Sequence, residues 1–165
     1  MRKPMRALRP QSGFTMIEVI MVMILTGIVI GAGVMINFSA SEEISFQSAF
    51  DELESNLRYA HELAINSHGG SGIYINNSGT YTIYENGDIT DPALNPANFN
   101  DFLITLPANV TIATTASNSQ VEFDYFGKPS DGSGALVTEQ IFTLTKTGYP
   151  TLTLRVKPNT GLVTR

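Results

Sequence analysis

Residues 13–38 read GFTMIEVIMVMILTGIVIGAGVMINF, a long apolar run that carries one acid, Glu18, five residues past Gly13. From Val19 to Ser41 no residue is charged. At 1.5 Å per helical residue, about 20 apolar residues cross the hydrocarbon core of a bilayer, so this stretch is long enough to span one. Arg2, Lys3, Arg6 and Arg9 precede it. Basic flanks stay on the cytoplasmic side, which puts the rest of the chain, from the end of the run onwards, outside. An uncleaved anchor, or a signal peptide cut near Gly31, Ala32 and Gly33, would both fit the hydropathy. Neither explains Glu18, because an acid within a spanning helix is costly and usually marks a pairing. Cleavage between Gly13 and Phe14 would leave a free ammonium one helical turn from Glu18, and amine and acid are natural partners in a low dielectric.

A basic leader ending in Gly13, followed by Phe14-Thr15-Met16-Ile17-Glu18-Val19-Ile20, closely resembles the class III signal of type IV pilins and type II secretion pseudopilins. The resemblance implies a prepilin peptidase that cuts after Gly13 and N-methylates Phe14, with the helix retained as membrane anchor and later as filament core. It also implies that Glu18 registers an incoming subunit against a neighbour's N-terminal amine. The expected partners are therefore other pilins or pseudopilins, the peptidase, and an inner-membrane assembly platform. The tip-most pseudopilin typically lacks the acid that Glu18 supplies, which argues for a subunit with neighbours on both sides. Major pilins usually carry a proline about twenty residues into the mature chain, where this run has Gly27, Gly31 and Gly33 instead. Gly27-x-x-x-Gly31 fits a close helix-packing motif, and glycine also simply loosens a helix.

Past Phe38 the pattern changes. Phe46, Phe50, Leu53, Leu57, Ala60 and Ala64 recur at spacings of three and four, the single stripe of an amphipathic helix, and Gly69-Gly70 offers a C-cap. FDELESNLRYAHELAINS, residues 50–67, resembles the matching helix of the GspH/FimT group of minor pilins. The period then becomes two: GIYINN and SGTYTIYENG form a hairpin turning at Asn77-Ser78-Gly79, and DITDPALNPANFNDF is a loop. Strands are expected over Leu103–Leu106, Val110–Ala113, Gln120–Phe126, Ile141–Thr145 and Leu152–Val156. VEFDYFGKP and LTLRVKPNTGLV resemble the C-terminal strands of the same group, with the pattern nearest to minor pilins of mannose-sensitive haemagglutinin type. The expected architecture is α+β and pilin-like. It comprises a leader over 1–13, a membrane-spanning and filament-core helix over 14–38, its amphipathic continuation over 39–68, and an antiparallel β-sheet or sandwich head over 69–165.

Beyond the leader the chain holds six basic residues against fifteen acidic ones, a net charge of −9 that repels phosphate backbones. There is no cysteine, which excludes disulfides, thiolate metal sites and cysteine nucleophiles. His61 and His68 would share a helix face, but no third metal ligand is evident. Asp88, Asp91 and Asp101 sit in a loop of the kind that binds calcium in some pseudopilins, although aspartates are also ordinary turn formers and the spacing matches no EF-hand. No cofactor is expected, and no arrangement suits catalysis. The expected function is that of a structural minor pilin or pseudopilin in assembly or initiation of a filament, held in the bacterial inner membrane with its head in the periplasm until then. The alternative is a pilus-associated binding subunit for DNA uptake or adhesion. Some minor pilins of the FimT kind bind DNA through a basic C-terminal stretch, and Arg155, Lys157 and Arg165 stand in such a stretch here. The same cations would also protect a sheet edge from aggregation.

Overall fold

The computed structural model describes residues 15–67, 69–135 and 138–165, without the side chains of residues 32–40. Among them one helix, α1 (Met16–Ser67), is followed by nine strands: β1 (Ser71–Asn77), β2 (Thr80–Tyr84), β3 (Leu103–Thr105), β4 (Val110–Thr114), β5 (Gln120–Phe123), β6 (Pro129–Ser130), β7 (Gln140–Lys146), β8 (Leu152–Val156) and β9 (Val163–Thr164). The chain forms two compact units that divide between Ser41 and Glu42. The second half of α1 therefore belongs to the head.

In the first unit, large apolar side chains from Met16 to Ile30 are exposed on every face of the helix. Among the described residues, however, no helix is long and apolar enough to cross a membrane. The span expected over 14–38 is thus not established structurally.

The head is built on the stripe. Phe46, Phe50, Leu53, Leu57, Ala60 and Ala64 are all buried. One flank of the stripe carries helical pairs, Gln47 with Asp51 at 3.3 Å and Arg58 with Glu54 at 2.8 Å. Ser67 ends the helix by donating its hydroxyl to the Leu63 carbonyl at 2.7 Å. Gly70 does not take the positive φ of a left-handed cap. Gly70 answers a different need: a Cβ there would lie 2.5 Å from Glu122 Oε1 and 3.2 Å from the Gly87 backbone.

The strands make two antiparallel sheets, ordered β3-β2-β1-β5-β6 and β4-β7-β8-β9. Register aligns the apolar residues, with Ile73 opposite both Ile83 and Val121 in the first sheet and Phe142 opposite Leu154 in the second. All five are fully buried in the core shared with the helix stripe. The β1–β2 hairpin turns at Ser78-Gly79, where Asn77 Oδ1 accepts the Gly79 N–H at 2.8 Å. The strand expected to reach Phe126 stops at Phe123 because Asp124 bends the chain. Its carboxylate accepts the N–H groups of Phe126 and Lys128 at 2.9 and 2.8 Å, and Gly127 takes φ 76. The returning chain adds β6.

Candidate assembly and contact surfaces

Thr15 and Glu18 start the helix together. The Thr15 carbonyl accepts from Glu18 N–H at 3.1 Å and from Val19 N–H at 3.3 Å, while its hydroxyl lies 3.4 Å from Glu18 N. This is the N-cap and third position of a capping-box sequence, Thr-x-x-Glu, although the 3.4 Å contact is long. A carboxylate in the first turn also faces the positive end of the helix macrodipole, worth about 0.3–1 kcal/mol. Glu18 thus has a local role besides any pairing, and the Thr15-x-x-Glu18 spacing is the signal of it in the sequence. Its carboxylate is exposed beside a recess of about 330 Å3 that it lines with Val19, Val22 and Met23. A charge in so apolar a surround requires a polar or cationic partner if the surface is covered.

Gly13 and Phe14 lie outside the described residues. At Gly27 and Gly31, an added Cβ would meet nothing within 4 Å. Both positions are open, and a neighbouring backbone has room to approach there.

Arg155, Lys157 and Arg165 do not converge on a common face for a phosphate chain. Arg155 and Lys157 share Glu139, at 2.7 and 2.5 Å. Arg165 reaches back to the helix, with Glu54 and Asp51 each at 2.6 Å. Arg58 joins this cluster through Glu54 and also donates to the Val163 carbonyl at 3.1 Å, covering part of the β9 edge. Bonds from Arg58 and Arg165 hold the Glu54 carboxyl below its ordinary range, and Lys157 and Arg155 do the same for Glu139. Each cation is engaged by the head's own acids.

Two further polar links tie helix to sheet. Asn56, buried on the stripe side, donates to the Tyr81 hydroxyl at 2.8 Å. Lys146, also buried, reaches the Glu42 carbonyl at 3.2 Å and its carboxylate at 3.4 Å, and lies over the Tyr149 ring. Neither link is foreseeable from sequence, because partners on different elements leave no mark in a local pattern.

His61 is half-buried at the side of the core. Its ring meets Phe123 edge-on at 5.1 Å, and its buried Nε2 has no hydrogen-bond partner among the described residues. Added Cβ atoms at Gly127 and Gly161 would lie 2.5 Å from Nε2 and 2.8 Å from Cδ2, so two glycine backbones close over the imidazole. A groove of about 300 Å3 beside it is lined by Arg58 and residues 160–163. His68 lies outside the described residues. Asp88 accepts from Thr90, and Asp91 from Asn86, both in turn geometry. Among the described residues, no three His, Cys, Asp or Glu side chains gather to hold a metal ion.

The prokaryotic N-terminal methylation motif matches residues 8–34. None of the curated proteins matches the chain. Among solved structures, the type IV minor pilin FimU of Pseudomonas aeruginosa PAO1 superposes with a TM-score of 0.55 at 19% identity, over 74% of this chain and 89% of that one. A second crystal form of FimU gives 0.53 at 17% identity, over 72% and 90%. The minor pseudopilin EpsH of the Vibrio cholerae type 2 secretion system gives 0.48 at 18% identity, over 74% and 93%, a likeness too distant to carry weight. The fold is pilin-like, and the chain carries a prepilin-type N-terminus.

Proposed function

We propose that this pilin-like chain is a minor pilin or pseudopilin, a structural subunit that takes part in assembling or initiating a type IV pilus or type II secretion pseudopilus. The observation that carries the reading is the pairing of a methylation motif with a helix start that is apolar and exposed on all sides. A helix apolar all round is stable only when surrounded by lipid or other helices. Its uncharged sequence continues to Ser41, which supports a stay in the inner membrane before assembly.

In this role the peptidase cuts between Gly13 and Phe14 and methylates the Phe14 amine. Glu18 then faces a neighbour's N-terminal amine as the helices pack, with Gly27 and Gly31 allowing close approach. Covering Glu18 in an apolar bundle without a cation would be costly, so pairing sets the axial register of the incoming subunit. The head supplies a rigid outer surface and no chemistry.

The test is a deletion strain in which surface fibres are counted by electron microscopy while secreted enzymes are measured in the same cultures. Lost fibres with normal secretion identify a minor pilin, and exoproteins trapped in the periplasm identify a pseudopilin. Normal fibres together with normal secretion would refute both.

A further inference from the structure

Between β2 and β3, residues 95–100 form a closed ring of hydrogen bonds. Asn95 N–H donates to the Asn100 carbonyl at 2.8 Å, and Phe99 N–H returns to the Asn95 carbonyl at 2.8 Å. Asn95 Oδ1 accepts from Ala97 N–H at 2.9 Å, and Asn98 Oδ1 accepts from Asn100 N–H at 3.0 Å. A bridge between Leu94 and Asp101 fastens the base, and buried Phe102 anchors it to the core.

This ring holds Phe99 at φ 57, a left-handed conformation that suits glycine or asparagine and is strained for a bulky residue. Phe99 is also 77% exposed, with exposed Leu94 and Leu103 close to it in the chain. Backbone strain and solvent exposure both disfavour phenylalanine here, and neither serves the fold. An aromatic side chain held in water on a preorganised loop loses little freedom when it is covered, which is the property of an interface anchor. The other exposed aromatic pair differs. Tyr125 and Phe126 lie against each other, tilted by 39° with ring centroids 3.9 Å apart, and Lys128 lies over Phe126, so those rings have partners within the chain.

Charge narrows what would cover Phe99. From Tyr59 through Gly127 there is no lysine or arginine, against seven acids, of which Glu85, Asp88, Asp91 and Asp101 lie in the segment around the ring. The bonding partners of Asp88 and Asp91, Thr90 and Asn86, are neutral and leave the negative charge in place. Anionic lipid, nucleic acid or an acidic protein would be repelled, whereas a basic rim would be steered towards this surface. A second copy of this chain fits poorly, because its Arg58, Lys146, Arg155, Lys157 and Arg165 are held by its own acids and Lys128 alone does not make a basic rim.

We propose that Phe99, flanked by Leu94 and Leu103, is the anchor of a docking surface for another protein that presents an apolar recess rimmed by lysine or arginine. This surface belongs to the head unit and does not depend on the pilus or pseudopilus role.

The test places the photoreactive amino acid benzoylphenylalanine at position 99 of the full-length chain in its native host, with position 126 as control. Illumination is followed by mass spectrometry of the adducts. One discrete protein adduct is expected at 99, at least tenfold above the control, joined to a peptide in which apolar residues neighbour lysine or arginine. With the probe moved to position 103, Phe99→Ser should lower the yield of that adduct about tenfold, and so should Asp88→Asn with Asp91→Asn and Asp101→Asn. An unchanged melting temperature verifies that the variants fold. Adducts to a second copy, to lipid or to an acidic peptide would overturn the proposal, as would no adduct above control. Fibre counts and secretion in the same cells report separately on the assembly role.

Discussion

The buried hydrogen bond between Asn56 and Tyr81 gives the sharpest test of how the helix is held on the sheet. The Asn56 amide is 7% exposed and Tyr81 is fully buried, with 2.8 Å between donor and acceptor. Tyr81→Phe removes the acceptor and strands the amide donor, which costs about 1–3 kcal/mol. Asn56→Leu strands the phenol instead and should cost a similar amount, partly offset by the added apolar contact. The double variant replaces both polar groups with apolar ones and should fall close to wild type. With the double variant near wild type, the coupling energy equals the sum of the two single losses, about 2–6 kcal/mol. Thermal unfolding of the full chain in detergent would read each single loss as a fall of about 3–15 °C, since 1 kcal/mol moves the midpoint of a domain of this size by about 3–5 °C. Strict additivity within about 0.5 kcal/mol would show that the two side chains are energetically independent, refuting the link.

Three other outcomes are expected from the geometry. Gly161→Ala meets both φ 64 and the His61 ring, whereas Gly148→Ala meets φ 88 in open space. In thermal melts the first should therefore lose clearly more than the ~1–3 kcal/mol of left-handed strain, and the second no more than that. Because Glu54 and Glu139 are depressed from an ordinary value of 4.5, their stabilisation is complete above that pH and lost as pH falls through the lowered folded values. Glu54→Gln should accordingly flatten the acid limb of a stability–pH curve, and an unchanged limb would contradict the clamp. Glu18→Ala should leave cleavage after Gly13 intact, as seen by mobility on a denaturing gel, while reducing recovery of the subunit from sheared fibres; full recovery would remove Glu18 from assembly.

The helix stripe is legible in the sequence because six apolar residues at helical spacing all face one core, and burial on one side is what writes a period into a chain. Strands β7 and β8 are legible for the same reason at a period of two, whereas β1 and β2 bury consecutive residues and are marked instead by their β-branched and aromatic side chains around the Asn77-Ser78-Gly79 turn. Strands β6 and β9 are not, since Pro129–Ser130 and Val163–Thr164 are too short to show any period. Composition points to a glycine cap at residues 69 and 70, where contact with Glu122 is the actual demand at Gly70. The charges of Arg155, Lys157 and Arg165 are plain, but their neutralisation is not. Glu139 lies 16 residues before Arg155, and Glu54 lies 111 before Arg165. Only the folded head brings them together.

The stretch without lysine or arginine that surrounds Phe99 has a practical consequence. Trypsin cleaves after those residues and is blocked by a following proline, so Arg58 is the last site before Lys146, because Lys128 precedes Pro129. The hairpin, the Phe99 ring, and strands β3 through β6 would leave a digest as one very long fragment that routine peptide mapping overlooks. Proteases that cut at aspartate or glutamate divide the same region several times, at the acids that give it its charge.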